Sequence, residues 1–272
     1  NRLSIGIQSF RESDLRLMNR AHNSQQALTC LQNAKKYFDN ISVDLIYGIP
    51  GMDLQDWKKN LEIFKSFELP HLSCYALTVE PRTALPELIK KGVIPPVEEE
   101  DAQIHFEYLL DFADTHNYLH YEISNFGKEG YFSRNNTAYW SGKPYLGIGP
   151  SAHSYNLRQR FWNVSNNALY VKNITKGTIP AESETLSVFD RYNETIMTGL
   201  RTQWGISLSQ IEQKFGLHFK DFLAEQATAL VLEGWLLWED EVLKTSRKGK
   251  FMADGLAAQL FMLAPDNYLF DY

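Results

Sequence analysis

A chain of 272 residues carries 27 Lys plus Arg against 33 Asp plus Glu, a formal charge of −6, with 44% apolar residues. That length supports one large domain or two smaller ones, each with a real core. The acidic balance argues against a non-specific binder of nucleic acid or of a membrane surface. Two cysteines, Cys30 and Cys74, make neither a disulfide scaffold nor a four-thiolate metal site. Both lie in apolar-periodic segments and are expected as buried free thiols, which suits a reducing cytoplasm. No apolar run approaches the ~18 residues of a membrane span; the richest, 229–238, is broken by Glu233. There is no signal-peptide pattern. The sequence does not open on Met, and Asn1 to Ile7 already reads as a strand, so further chain is expected upstream.

Residues 3–9 are strand-like, rich in apolar and β-branched side chains. Residues 24–38 have helical spacing, with Ser24 as an N-cap. A strand over 41–47 is stopped by Gly48-Ile49-Pro50-Gly51, and a helix over 53–67 follows. A strand over 71–79, a helix over 102–116 and a strand over 119–123 complete the first half. This alternation predicts a parallel α/β sheet, with barrel and doubly wound arrangements both open. In either, ligands gather at the carboxyl ends of the strands. Those ends are residues 8–10, 44–51, 78–83 and 122–126.

The pattern changes at Tyr131. The small-residue loop over 146–154 suits close backbone approach to a ligand, or tight turns under packed neighbours. Helices are expected over 186–202, 207–215 and 219–233. A hairpin pairing 235–238 with 242–245 and a last helix over 250–261 follow. Helices followed by a hairpin suggest a winged helix. Residues 186–272 hold 8 Lys plus Arg and 12 Asp plus Glu, the wrong sign for phosphate binding. A packing or lid domain is the expectation.

The motifs in order are Asn1-Arg2-Leu3-Ser4-Ile5-Gly6-Ile7-Gln8-Ser9-Phe10, Asn19-Arg20-Ala21-His22 and Asp44-Leu45-Ile46-Tyr47-Gly48-Ile49-Pro50-Gly51. Then come Leu72-Ser73-Cys74-Tyr75-Ala76-Leu77-Thr78-Val79-Glu80-Pro81, Tyr121-Glu122-Ile123-Ser124-Asn125-Phe126 and the 146–154 loop. Together they resemble the radical S-adenosylmethionine (SAM) family of oxygen-independent coproporphyrinogen III oxidase and its haem-chaperone relatives. The resemblance covers essentially the whole chain. It implies the later strands of a partial TIM-like barrel over 1–155, a linker region over 156–185 and a mostly helical, winged-helix-like domain over 186–272. The family's Cys-x-x-x-Cys-x-x-Cys motif lies upstream of the stretch resembling Asn1. Its thiolates hold a [4Fe–4S] cluster that, when reduced, cleaves SAM to a 5′-deoxyadenosyl radical. Without those cysteines this chain alone is expected to be catalytically inert. The edge left at 3–9 is expected to favour self-association.

Carried over residue by residue, the resemblance implies SAM contacts at Gln8, Arg20, Asp44 and Thr78. Gln8 offers an amide, Arg20 a fork for the SAM carboxylate, Asp44 an acceptor for ribose hydroxyls and Thr78 its backbone. Asp44 also reads as a buried structural acid, and Arg20 as a surface cation. The oxidase branch decarboxylates two propionates of coproporphyrinogen III; the chaperone branch binds haem and delivers it to an accepting protein. Glu80-Pro81-x-Thr83 and residues 133–140 resemble the chaperone branch, whose pattern there is His-Asn-x-x-Tyr-Trp. Asn136, Tyr139 and Trp140 match it, whereas Asn135 stands at the histidine position and is a poor iron ligand. His22 and His153 are further haem candidates, while His71, His105, His116 and His218 read as surface or helix-face residues. The expectation is a radical SAM protein of haem metabolism, probed by SAM and by a porphyrin or haem. A carrier without porphyrin chemistry, a true oxidase and a protein-docking module are the rivals.

Overall fold

The computed structural model describes residues 1–81 and 83–265. The end of the expected C-terminal domain, 266–272, lies outside the described residues. The chain forms two compact units, Asn1–Phe132 and Ser133–Tyr272.

The first unit runs β1 (Leu3–Gln8), α1 (Glu12–Leu17), α2 (Ser24–Ala34), β2 (Ile41–Tyr47), α3 (Leu54–Ser66) and β3 (His71–Ala76). It continues with α4 (Ala84–Lys90), α5 (Glu99–Thr115), β4 (Leu119–Glu122) and β5 (Asn125–Gly127). The five strands form one sheet in the order β1-β2-β3-β5-β4. β1, β2 and β3 are parallel, as expected. The sheet is nevertheless mixed: β5 runs antiparallel to both β3 and β4. The cause is the tight turn through Ile123 and Ser124, too short for the crossover a parallel pair needs.

Strand alternation gives the sheet two different faces. One carries the buried Val43, Leu45, Tyr47, Leu72, Cys74 and Phe126. Apolar stripes of the helices are buried with it: Leu31 of α2, Trp57, Leu61 and Phe64 of α3, and Phe106 and Leu109 of α5. Tyr47 stands 5.7 Å from Trp57 and 6.2 Å from Phe106, centroid to centroid. The other face is polar, and it carries the site described below.

Two cysteine and histidine expectations need correcting. Cys74 is buried, but Cys30 is exposed. On α2 the buried positions are Ala27 and Leu31, four apart, and Cys30 falls off that stripe. His71 and His105 are buried at 1% and 2% exposure rather than lying at the surface. His71 enters the polar face of the sheet, and the Nδ1 of His105 accepts from the Gly48 amide at 3.2 Å.

The second unit begins with α6 (Arg134–Trp140). A three-stranded antiparallel sheet follows, β6 (His153–Tyr155), β7 (Gln159–Asn163) and β8 (Ala181–Thr185), with α7 (Asn167–Thr175) between its last two strands. Residues 156–185 are therefore not a linker. The segment is built of largely exposed, polar strands whose ladder is satisfied by backbone bonds. The boundary between units falls at 132/133 rather than 155, because the 153–185 segment pairs with itself.

The helical part is α8 (Val188–Leu200), β9 (Ile206–Ser207), α9 (Leu208–Phe215) and α10 (Leu217–Leu232). The hairpin β10 (Leu236–Glu239) with β11 (Val242–Thr245) and a last helix α11 (Ala253–Gln259) complete it. The last helix is shorter than the expected 250–261, since residues 250–252 form a 3-10 turn. β9 adds to the hairpin as a third strand, the wing of a winged-helix arrangement. Its core joins Tyr192, Ile196 and Leu200 of α8 to Leu223 and Ala227 of α10, and to Leu236 and Leu243 of the hairpin. No helix among the described residues is long and apolar enough to cross a membrane.

Candidate functional site

The polar face of the first sheet is organised in rows that cross the strands. One row is Ser4, Ser42 and His71, with Gly127 beyond it. The next is Gly6, Asp44, Ser73, Asn125 and Glu122, spanning all five strands. A row of polar residues on the inward face of a sheet is costly unless each finds a partner. Here they do. Ser42 Oγ lies 2.7 Å from His71 Nδ1, and His71 Nε2 lies 2.8 Å from the Tyr121 hydroxyl. Ser73 donates to Asn125 Oδ1 at 2.8 Å, and the Asn125 amide donates to Glu122. Gly127 keeps this packing close: a Cβ there would meet the Phe132 ring at 3.1 Å and the His71 ring at 3.2 Å, so a ring would have to shift.

Charge is placed sparingly in this network. Burial raises the Asp44 carboxyl, and bonds from Ser73 and Ser4 with the field of Arg2 pull the other way. Arg2 is held by Asn40 Oδ1 at 2.8 Å and the Tyr131 carbonyl at 2.9 Å. Burial pushes the His71 imidazole down to about 3, so it is neutral at physiological pH. Asp44 is thus a half-buried acceptor beside Gly6, in a row that continues through Ser73 and Asn125 to Glu122.

Three of the four SAM candidates gather at this point. Asp44 pairs in register with Gly6. A Cβ on Gly6 would stand 2.8 Å from the Gln8 amide nitrogen and 3.7 Å from the Arg20 guanidinium. Gly6 is therefore the floor over which Gln8 and Arg20 converge. Gln8 ends β1 with φ at 68°, a conformation that costs a non-glycine residue about 1 kcal/mol or more. The turn after it is pinned from below. Ser9 donates to Asp14 at 2.7 Å, the Phe10 amide donates to Asn60 Oδ1 at 2.7 Å, and Arg11 pairs with Asp14 at 2.9 Å. Thr78 lies just beyond the carboxyl end of β3 and is exposed, and the neighbouring Leu77 amide donates to the Tyr47 carbonyl at the end of β2.

The haem candidates fall in both units. His22, in the first, bonds the Ile7 carbonyl through Nε2 at 3.1 Å, which leaves Nδ1 as its available nitrogen. Asn136, Tyr139 and Trp140 share one face of α6 in the second unit, at i, i+3 and i+4 spacing. Tyr139 is exposed and meets Tyr145 edge to face at 4.6 Å. Trp140 packs under the Arg201 guanidinium at 5.1 Å. His153, on β6, is exposed, its ring 6.3 Å from that of Trp162. In the 146–154 loop, Gly147 leaves no room for a side chain, since a Cβ would fall 2.1 Å from the His153 carbonyl oxygen. That glycine serves close packing of the chain on itself.

Sequence reasoning missed His71, Ser42, Ser73, Asn125 and Tyr121. The signal was present: His71, Ser73 and Tyr75 alternate along one strand, and Ser42 and Asp44 along its neighbour.

The arrangement is that of known proteins. A radical SAM superfamily model matches residues 1–64, and a HemN C-terminal domain model matches 186–252. The heme chaperone HemW of Lactococcus lactis is 32% identical over 274 residues, 98% of this chain and 70% of that protein. The chain belongs to the radical SAM family, in its HemN-like, haem-chaperone branch. The heme chaperone HemW of Bacillus subtilis is 30% identical over 93% of this chain and 68% of its own length. Mouse radical S-adenosyl methionine domain-containing protein 1, mitochondrial, is 30% identical over 96% of the chain and 62% of its own length. The solved coproporphyrinogen III oxidase (HemN) of Escherichia coli superposes with a TM-score of 0.78 at 20% identity. It covers 96% of this chain and 64% of that one, a likeness of fold.

Family membership implies SAM and a [4Fe–4S] cluster. The residues over Gly6 fit SAM: a guanidinium, an amide and a carboxylate acceptor converge at the carboxyl end of parallel strands. A cluster is normally held by cysteine thiolates. The two cysteines here stand on different elements, Cys30 exposed on α2 and Cys74 buried on β3, and do not form such a site.

Proposed function

We propose that this chain binds SAM at the carboxyl ends of β1, β2 and β3, and that it binds haem for delivery to another protein. The observation that carries the SAM reading is the convergence of Gln8, Arg20 and Asp44 over Gly6. Arg20 supplies a planar fork for the amino-acid carboxylate. Asp44 accepts from the ribose hydroxyls and is held in place by Ser73 and Ser4. Gln8 reaches the same ligand from its strained turn, and Thr78 offers backbone groups beside it. The haem reading is supported by two relatives at 30% identity or above that are named heme chaperones. His153 and His22 Nδ1 are the nitrogens available to iron.

Titration of the full chain tests both parts. SAM is expected to bind, and Asp44→Ala to weaken it by about tenfold or more, the loss of a charge-assisted hydrogen bond. An unchanged affinity removes Asp44 from the site. Haem is expected to give a shifted Soret band without any decarboxylated porphyrin product. A wild-type chain that leaves the haem spectrum unaltered rejects carriage.

A further inference from the structure

The second unit holds a cleft of about 430 Å³ that shares Trp140 alone with the SAM and haem candidates. That volume lies in the ordinary range of ligand sites, ~300–1,000 Å³. Trp140, Trp204 and Phe215 line it, with Arg191 and Lys214 beside them. Neither Asp nor Glu is among its lining residues. That is unexpected in a segment, 186–272, with 12 acids against 8 bases.

The two cations have no carboxylate partner among the described residues. The neighbouring acids are engaged elsewhere. Glu194 pairs with Arg160, Asp190 closes a capping box with Ser187, and Glu212 pairs with Lys220. Lys214 sits in the last turn of α9, where the helix dipole favours a cation. Arg191 has no such explanation. It lies at the first turn of α8, the end where the dipole opposes positive charge. Its one side-chain bond is a long 3.4 Å contact to the Ser187 carbonyl. The indole Nε1 of Trp140 is also buried without an acceptor, a state that costs about 1–3 kcal/mol until something accepts from it.

Flat aromatic walls, two unpaired cations and an unsatisfied donor describe a site for a planar ring bearing carboxylates. We propose that this cleft binds the propionate edge of haem, with Arg191 and Lys214 on the carboxylates and Trp140 and Trp204 against the ring. The inference rests on the haem reading above and assigns it a place. It gives Trp140 of the 133–140 motif a role that does not need iron ligation by Asn135.

The test is titration of the full chain with haem and with haem dimethyl ester, read at the Soret band and by quenching of tryptophan fluorescence. Haem is expected to bind the wild type about tenfold or more tightly than it binds the Arg191→Gln/Lys214→Gln variant. The diester, which lacks the charges, is expected to bind both proteins equally. Lys214→Gln alone changes an exposed side chain and leaves the fold intact, and it is expected to cost haem affinity about threefold, half the tenfold effect on a logarithmic scale. Haem binding that is unaffected by the substitutions, or a diester that binds the wild type as tightly as haem does, overturns the cleft and leaves haem carriage standing. A wild-type chain that binds no haem overturns both.

Discussion

Gln8 combines a proposed SAM contact with backbone strain. Its φ of 68° is a glycine conformation, and the buried Ser9, Asp14 and Asn60 hold it there. Relieving that strain is expected to separate stability from binding. Gln8→Gly should raise the unfolding free energy by about 1 kcal/mol while weakening SAM. A variant that is both less stable and equally tight would contradict this. His71 supplies a second residue-scale expectation. Its imidazole is neutral in the fold, held at about 3 by burial, against 6.5 in an exposed chain. The stability it contributes is whole above pH 6.5 and is lost as the pH falls toward 3. One such group adds a slope approaching about 1.4 kcal/mol per pH unit. Urea unfolding between pH 6.5 and 4 should show this slope in the wild type and not in His71→Gln. Burial raises the Asp44 carboxyl and so acts in the opposite sense, but Asp44 is common to both proteins and drops out of the difference.

At the scale of elements, α3 acts on the site without touching the SAM candidates. Its Asn60, buried at 2% exposure, accepts from the Phe10 amide at 2.7 Å and bonds Ser9 Oγ at 3.2 Å. This fastens the α3 helix to the turn that aims Gln8. Asn60→Ala leaves a buried amide without its acceptor, which should cost about 1–3 kcal/mol. Weaker SAM binding is expected alongside, measured at a temperature where the variant is fully folded. Wild-type affinity in a destabilised Asn60→Ala would show that the turn holds its shape unaided. The antiparallel β5 matters in the same way. It brings Asn125 beside Ser73 and Glu122 beside Asn125, so the polar row closes instead of ending on an unsatisfied serine.

For the whole molecule, the open side of β1 is the feature with a measurable consequence. Among the described residues β1 has β2 as its one strand partner, so its other side carries no paired strand. Such an edge templates pairing with another strand. Light scattering of this chain is expected to show mass rising with concentration, and a monodisperse monomer at high concentration would contradict it.

Much of this protein was legible in the order of its residues. The parallel β1-β2-β3 core, the helices between them and the wing hairpin follow from periodicity and turn chemistry, which act over neighbouring residues. The family follows from ordered motifs, and Gln8, Arg20 and Asp44 from the match to them. Other features depend on register and packing, which no local pattern states. The reversal of β5 turns on how a two-residue connection is accommodated at the sheet edge. The pairing of Asp44 with Ser73 needs the strand register. The 156–185 strands are recognisable only once they bond each other, because their side chains are largely polar and exposed. That Arg191 and Lys214 line a cleft without Asp or Glu is visible only once the neighbouring acids have been placed with their own partners. Local propensity determined the elements; tertiary structure decided which polar groups found partners within the chain and which did not.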